Sequence, residues 1–163
     1  MKTINKIAAA SVAGVIALGS ASWAEMIAPT DVKFGEYGEV EMSLTGKPGN
    51  PEQGAVVLGN RSLGNCVACH VVGALADIPF QGDIGPSLDG AADRWSAAEL
   101  RGILVNSKMT FEGTMMPAYY KIDGFTRPGN AYTGKAADGP LDPLLSAEQI
   151  EDVVAFLSTL KDE

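Results

Sequence analysis

The clearest hydrophobic periodicity lies near the carboxyl end of the chain. Ser146 and Gln149 stand three positions apart in the pattern of a capping box, which is typical of a helix N-terminus. Apolar residues then recur three or four positions apart, as they do on the buried face of a helix. These residues are Ile150, Val153, Val154, Leu157 and Leu160. The pattern predicts a helix that begins after Ser146 and packs against the core.

Two earlier segments carry helix signals at their starts. Asn50 is a favourable N-cap residue and Pro51 suits the first helical position, so a helix is predicted from Pro51 onwards. Ser96 and Glu99 form a second capping-box pattern, and the helix predicted after Ser96 ends near Asn106.

The segments between these helices are rich in glycine and proline and show little of the alternation expected of strands. Residues 72–92 are predicted as a loop, and residues 25–49 as an irregular amino-terminal extension with scattered aromatic residues and turn formers. Residues 50–163 then form one domain. Short helices joined by such loops indicate a small all-α fold.

The amino-terminal residues have the pattern of a targeting segment. Lys2 and Lys6 precede a short apolar stretch over residues 7–18, and residues 22–24 resemble a small-x-small cleavage site. The sequence therefore predicts a cleaved signal peptide over residues 1–24 and an exported chain. No membrane span is predicted, because the apolar stretch is too short and no later segment reaches about 18 consecutive apolar residues.

The charge balance removes one class of partner. The chain has 20 acidic and 12 basic side chains, which give a formal net charge of −8 at pH 7. Such a chain repels phosphate groups instead of releasing counterions from them. Nucleic acid is therefore excluded as a partner on electrostatic grounds.

The candidate chemistry is concentrated in five consecutive residues. Cys66, Cys69 and His70 are the only cysteines and the only histidine of the chain, and they form the spacing C-x-x-C-H. This spacing is the attachment motif of a c-type haem. The two thiols add to the vinyl groups of the porphyrin, and His70 supplies the proximal nitrogen to the iron.

Three other interpretations of the cysteine pair fit less well. A thioredoxin-type dithiol needs no following histidine and sits in a βαβ context that the chain lacks. A closed zinc site needs four ligands, and no second cluster of cysteine or histidine exists to complete one. A disulfide between residues three positions apart would close a very small loop and constrain little.

No second histidine is available for the opposite face of the iron, which is therefore either bound by another side chain or left open. Met109, Met115 and Met116 are candidates, since a thioether is a common axial ligand in cytochromes c. Met116 is favoured because Pro117 biases it away from helical dihedral angles. A methionine followed by proline on an extended loop is the usual setting of the distal ligand in small c-type cytochromes. Met115, Met109 and an open site that would bind an external ligand remain alternatives. Ligation by histidine and methionine favours ferrous iron and leaves no open coordination position, so the expected chemistry is one-electron transfer.

Further residues are candidates for the surroundings of the haem. The carbonyl of Pro86 is expected to accept the second ring N–H of His70, because ligating histidines are usually oriented in this way. Arg94, Trp95 and Arg101 are candidates to bind the haem propionates.

Taken together, these motifs resemble those of the SoxX family, the small haem-c subunits of the periplasmic SoxAX cytochromes of bacterial sulfur oxidation. The resemblance covers nearly all of the chain that follows the signal peptide. Its marks, in chain order, are residues 64–70, 81–90, 94–96, 100–103, 106–109, 113–120, 124–128, 134–136 and 151–157. It implies a class I cytochrome c-like domain wrapped around one covalent haem c. In that fold the first and last helices cross closely, and Gly54 and Phe156 are the residues expected at the crossing.

The resemblance also implies partners and a reaction. The family forms a heterodimer with a larger haem subunit, SoxA, and the complex is an L-cysteine S-thiosulfotransferase that couples thiosulfate oxidatively to a cysteine of the SoxYZ carrier. Cys66, Cys69, His70 and Met116 would carry over as the thioether links and axial ligands. The electrons would pass to a soluble cytochrome, and the protein would reside in the periplasm.

Two alternatives stay open at this point. A free periplasmic electron carrier would use the same haem site, although such carriers often lack the extension and a long aromatic loop. The second concerns residues 118–143, which contain Tyr119, Tyr120, Phe125 and Tyr132. This segment is either a partner surface, since aromatic residues are enriched in interface cores, or a loop that packs internally.

Overall fold

Four α-helices form the framework of the part of the chain that the structure describes. The computed structural model describes residues 26–129 and 133–162. The helices are α1 (Pro51–Gly59), α2 (Ala91–Arg94), α3 (Ala97–Asn106) and α4 (Ala147–Leu157). Single-turn 3-10 helices occur at Pro29–Asp31, Cys66–Ala68, Gly73–Leu75 and Ser107–Met109.

The all-α prediction is confirmed. Within the described residues, β-pairing is limited to one isolated antiparallel bridge between Gly129 and Ala136. No helix in this part of the chain is long and apolar enough to cross a membrane. The predicted signal peptide over residues 1–24 lies outside the described residues.

The helix starts follow the capping signals of the sequence. The Asn50 side chain accepts hydrogen bonds from the backbone N–H groups of Glu52 and Gln53, at 2.8 and 3.2 Å. Ser96 and Ser146 each complete a reciprocal capping box, with Glu99 and Gln149 respectively. These contacts satisfy backbone donors that have no partner within the helix. The three predicted helices are therefore confirmed. The short helix α2 is an addition, since it begins within the predicted loop of residues 72–92 and extends two residues beyond it.

Helices α1 and α4 cross with almost no side chain between them. A Cβ atom built on Gly54 would lie 2.0 Å from the carbonyl oxygen of Asp152 and 2.8 Å from Cβ of Phe156. Gly49 approaches α4 in the same way, since its Cβ would lie 2.0 Å from the carbonyl oxygen of Glu151. The expected contact between Gly54 and Phe156 is confirmed, and the crossing requires glycine.

The amino-terminal extension is irregular in backbone but packs into the core. The side chains of Val40 and Leu44 are buried. Val40 donates its N–H to the carbonyl of Ala98 at 3.0 Å, at the start of α3. Ile27 donates to the carbonyl of Leu44 at 2.8 Å, which closes the extension on itself. The extension is thus a part of the packed structure and is hydrogen-bonded to both α3 and α4.

A buried ion pair joins the extension to both helices. Nε and Nη2 of Arg101 lie 2.7 and 3.1 Å from the two carboxylate oxygens of Glu151. Nη1 of Arg101 donates to the carbonyl of Val40 at 2.8 Å, and the N–H of Leu44 donates to Glu151 at 2.8 Å. The suggestion that Arg101 binds a haem propionate is wrong, because its guanidinium is buried in this network.

We expect Arg101→Met to lower the free energy of unfolding by about 3–5 kcal/mol, because removal of one partner leaves the other charge buried and unpaired. Denaturant unfolding of the haem-loaded protein measures this change. Arg61→Met is the matched control, since Arg61 is exposed and makes one long hydrogen bond of 3.4 Å to the carbonyl of Pro79. Equal stability of the two variants would contradict a structural role for the ion pair.

Candidate haem site

A cavity of about 370 Å³ lies at the centre of the fold. This volume falls in the range of cofactor sites, about 300–1,000 Å³. Its walls are largely apolar, and the helices that cross or flank it contribute Leu58, Leu100, Leu104, Val153 and Leu157. Cys66, Cys69, His70, Met115 and Met116 line the same cavity. The structure therefore brings together the predicted attachment cysteines, the proximal histidine and both adjacent methionines.

The attachment motif folds as a single tight turn. Residues Cys66–Ala68 form a 3-10 helix, and the N–H groups of Cys69 and His70 both donate to the carbonyl of Cys66, at 3.0 and 2.9 Å. Asn65 precedes the turn with φ of 50°, in the left-handed region that asparagine tolerates better than most residues. Because of this turn, both thiols and the imidazole belong to one wall of the cavity.

The imidazole of His70 is oriented by the following loop. Its Nδ1 lies 2.7 Å from the carbonyl oxygen of Pro86. A carbonyl oxygen only accepts, so Nδ1 carries the proton and Nε2 keeps its lone pair for a metal. This is the contact expected between Pro86 and His70. Gly85 allows it, since a Cβ atom there would lie 2.2 Å from Cε1 of the ring.

Arg94 holds the same loop from α2. Its guanidinium donates to the carbonyl oxygens of Asp89 and Ser87, at 2.7 and 2.9 Å. Trp95, the next residue, packs edge to face on Phe111 with ring centroids 5.8 Å apart, and both rings line the cavity. Arg94 and Trp95 thus shape the cavity wall, and nothing in these contacts tests the suggestion that they bind propionates.

The three candidate methionines differ in their surroundings. Met116 is half-buried and packs against the hydrophobic core. Met115 lines the cavity but is 76 % exposed. Met109 is 48 % exposed and lies outside the cavity lining. Packing therefore favours Met116 over the other two as a ligand.

Tyr119 connects the cavity to the attachment motif. Its hydroxyl donates to the carbonyl of Gly64 at 2.9 Å. Burial raises the pKa of the Tyr119 phenol, so this hydroxyl remains a donor across the physiological range. Burial also raises the pKa of the Cys66 thiol to about 11, which keeps that thiol neutral until it reacts.

The aromatic segment after Met116 packs inwards at its start. Tyr119 and Tyr120 are buried, and the Tyr120 hydroxyl donates to the carbonyl of Ile27 at 2.8 Å. Phe125 is partly exposed beneath Lys121, whose Nζ lies 5.3 Å from the ring centroid. Tyr132 lies outside the described residues. For the two tyrosines that follow Met116, internal packing is the correct alternative.

The residues present fit a covalent haem c. The cavity offers apolar walls, two free thiols on one wall and an imidazole whose Nε2 is available to iron. A buried oxygen, Oδ1 of Asn65, finds no hydrogen-bond partner within the described part of the chain. The two thiols, the imidazole and the largely apolar walls together suit a porphyrin better than a small polar ligand.

Comparison with known proteins identifies the family. The family model for cytochrome c matches residues 52–161. A solved structure of SoxXA from P. pantotrophus contains a chain that is 62 % identical, with a TM-score of 0.79. That alignment covers 83 % of this chain and 98 % of the other. The chain is a cytochrome c of the SoxX family. Its cofactor is one covalently bound haem c, as predicted. A search of curated protein sequences gave no significant match.

Two contributors to the site were not found from the sequence. Tyr119 and Ser107 lie in stretches that carry the family resemblance, but neither belongs to a motif that indicates its role. Ser107 is fully buried and donates its hydroxyl to the carbonyl of Met116 at 2.8 Å. A polar residue directly after an amphipathic helix gives no signal that distinguishes such a buried contact from an exposed one.

We expect Gly85→Ala to displace the imidazole of His70, because the added methyl would overlap the ring. The visible spectrum of the purified protein should lose most of its low-spin, six-coordinate character. Gly59→Ala is the control, since its Cβ would meet the flexible ends of the Ile78 and Leu75 side chains and no backbone atom or haem ligand. An unchanged spectrum in Gly85→Ala would contradict the proposed position of the proximal ligand.

Proposed function

We propose that this chain is the electron-transfer subunit of a SoxAX-type complex with a larger, SoxA-type haem subunit. The complex acts as an L-cysteine S-thiosulfotransferase on a SoxYZ-type carrier. The observation that carries the proposal is the 62 % identity to a chain of SoxXA over 98 % of that chain's length. The apolar cavity with its C-x-x-C-H wall supports the same assignment.

We assign the haem contacts to four residues. Cys66 and Cys69 form the two thioether links, His70 is the proximal ligand and Met116 is the distal ligand. When bound, haem c supplies one-electron oxidation and reduction. Because His70 and Met116 would both bind the iron, substrate would have no access to it. The activity of this subunit is therefore electron transfer alone.

The remaining residues keep the redox site rigid and dry. Leu58, Leu104 and Val153 exclude water from the cavity walls, and the bond between His70 and Pro86 fixes the proximal ring. Exclusion of water and a fixed ligand geometry reduce the rearrangement that accompanies a change of charge. Such an arrangement suits repeated one-electron transfer.

The sulfur chemistry belongs to the partner subunit in this proposal. Coupling of thiosulfate to the carrier's cysteine forms a sulfur–sulfur bond and releases one proton and two electrons. The chain described here has only two cysteines, and both line the haem cavity. It therefore has no thiol left to handle sulfur. Its part is to receive electrons and to pass them to a soluble cytochrome in the periplasm, to which the signal peptide over residues 1–24 directs it.

The cavity has an apolar rim where a partner would approach. Ile84, Phe111 and Met115 line the cavity and are also exposed at the surface. Apolar side chains around an opening allow a partner protein to approach closely and do not select that partner by its charge. We assign this rim, defined by the three residues, as the place where electrons enter or leave.

The ligand assignment predicts a difference between two neighbouring variants. Met116→Ala is expected to abolish the weak sulfur-to-iron charge-transfer band of the oxidised protein and to lower the reduction potential. Met115→Ala is the matched control and should retain both, because its side chain is mostly exposed. Visible spectroscopy and redox titration measure the two properties. Loss of the band in Met115→Ala alone would move the ligand by one residue.

The complex itself is tested by purification from the host grown on thiosulfate. A tagged form of this chain should retain a second, larger haem-staining protein at equal stoichiometry, and thiosulfate with the carrier should reduce its haem. Recovery of a monomeric haem protein alone would favour a free electron carrier.

Two variants test whether the rim takes part in electron transfer. Met115→Lys is expected to slow electron transfer about tenfold or more, corresponding to ~1.4 kcal/mol lost from the encounter with the partner. Met42→Lys is the control, since Met42 is similarly exposed but lies outside the cavity lining. Equal rates for the two variants would remove the rim from the electron path.

A further inference from the structure

The carbonyl oxygen of Met116 is held by the turn that follows α3. The hydroxyl of Ser107 donates to it at 2.8 Å, and Nζ of Lys108 donates to the same oxygen. Ser107 is 0 % exposed, whereas Lys108 is exposed. The hydroxyl of Ser107 is shielded from water, so its contact competes less with solvent than the contact of the exposed Lys108 does.

The Met116–Pro117 peptide can be anchored only through its acceptor. Proline has no backbone N–H, so the carbonyl of Met116 is the only hydrogen-bonding group in that peptide unit. On the preceding side, the N–H of Met116 donates to Oγ1 of Thr114 at 3.2 Å, a contact within the same loop. Ser107 is therefore the buried link between this peptide and the helical framework.

Ser107 is itself fixed in place. The N–H groups of Thr110 and Phe111 donate to its carbonyl at 3.3 and 2.9 Å, and the Asn106 side chain caps the turn by accepting from Lys108. The turn continues directly from α3, which contributes Leu100 and Leu104 to the cavity wall. A displacement of the Met116–Pro117 peptide away from α3 would therefore break the Ser107 contact.

Further contacts anchor the loop beyond Pro117. Tyr119 and Tyr120 donate their N–H groups to the carbonyls of Leu104 and Val105, at 3.1 and 3.2 Å. These bonds fix the chain three residues after the proposed ligand. On the side of Met116 itself, Ser107 is the buried side chain that holds the backbone of that residue.

We propose that Ser107 is a positioning residue for the distal ligand. Its buried hydroxyl holds the Met116 carbonyl, keeps the thioether directed into the cavity and so sets the strength of the sulfur–iron bond and the reduction potential. This inference rests on the proposed assignment of Met116 as the distal ligand. Loss of the Ser107 hydroxyl should therefore change the sulfur–iron bond more than it changes the stability of the fold.

The test compares two serine variants of the haem-loaded protein. Ser107→Ala should weaken the sulfur-to-iron band, lower the reduction potential and raise the affinity of the ferrous protein for carbon monoxide about fivefold, the factor that corresponds to one ordinary hydrogen bond. Ser158→Ala is the control, because the Ser158 hydroxyl also donates to a backbone carbonyl, that of Val154 at 2.7 Å, but at the end of α4 and outside the cavity lining. The control should leave band, potential and affinity unchanged.

A second pair of variants separates ligand positioning from packing. The variants are Ser107→Thr and Ser107→Val. Threonine and valine have side chains of the same shape and differ in the hydroxyl, so only the threonine variant should retain the wild-type spectrum. Matching spectra and potentials for this pair would overturn the inference. Failure of all Ser107 variants to accumulate as haem proteins would also overturn it, since the role would then be structural.

The Met116→Ala variant distinguishes the inference from the assignment beneath it. If Met116→Ala keeps the sulfur-to-iron band, the distal ligand is another residue and both proposals fail. If Met116→Ala loses the band while Ser107→Ala behaves as Ser158→Ala does, Met116 remains the ligand and only the role of Ser107 is refuted.

Discussion

The close approach of α1 and α4 is the constraint on which the rest of the structure depends. At Gly54 the backbone of one helix lies against the backbone of the other, and any Cβ atom would overlap the carbonyl of Asp152. This contact fixes the two helices relative to each other and so determines where their other side chains lie. Leu58 from α1 and Val153 and Leu157 from α4 then form walls of the haem cavity. The position of the cofactor follows from a crossing in which side chains take almost no part.

The cavity links cofactor binding to folding. Its lining side chains belong to or adjoin the hydrophobic core, so the haem supplies apolar contacts that the polypeptide alone does not make. The amino-terminal extension completes this core from the other side through Leu44, and the ion pair of Arg101 and Glu151 fixes the extension to α3 and α4. The extension is therefore better understood as part of the electron-transfer domain than as an appendage to it.

The features that were predicted correctly are those that a few neighbouring residues determine. Capping boxes act over three positions and the haem motif over five, so Ser96, Ser146 and Cys66 could be interpreted without knowledge of the fold. Arg101 was misassigned because its partner, Glu151, lies 50 positions away, and an arginine on a helix gives no local sign of a buried ion pair. Helix α2 was missed because four residues are too few to show a helical period. The same limit applies to Ser107, whose contact with Met116 depends on a loop that returns over the cavity.

The two sides of the cavity differ in how the chain holds its ligands, and this difference bears on function. On the proximal side, the turn at Cys66–Ala68 and the bond from His70 to Pro86 lie within a short stretch of chain, which covalent attachment would tie to the porphyrin. On the distal side, the proposed ligand Met116 depends on contacts with α3 and its following turn, made by residues far from the attachment motif. The distal bond is thus the one that substitutions in the surrounding structure can weaken without loss of the haem. Substitutions that adjust the reduction potential are therefore expected to act through the segment around Met116, while the proximal side secures the cofactor.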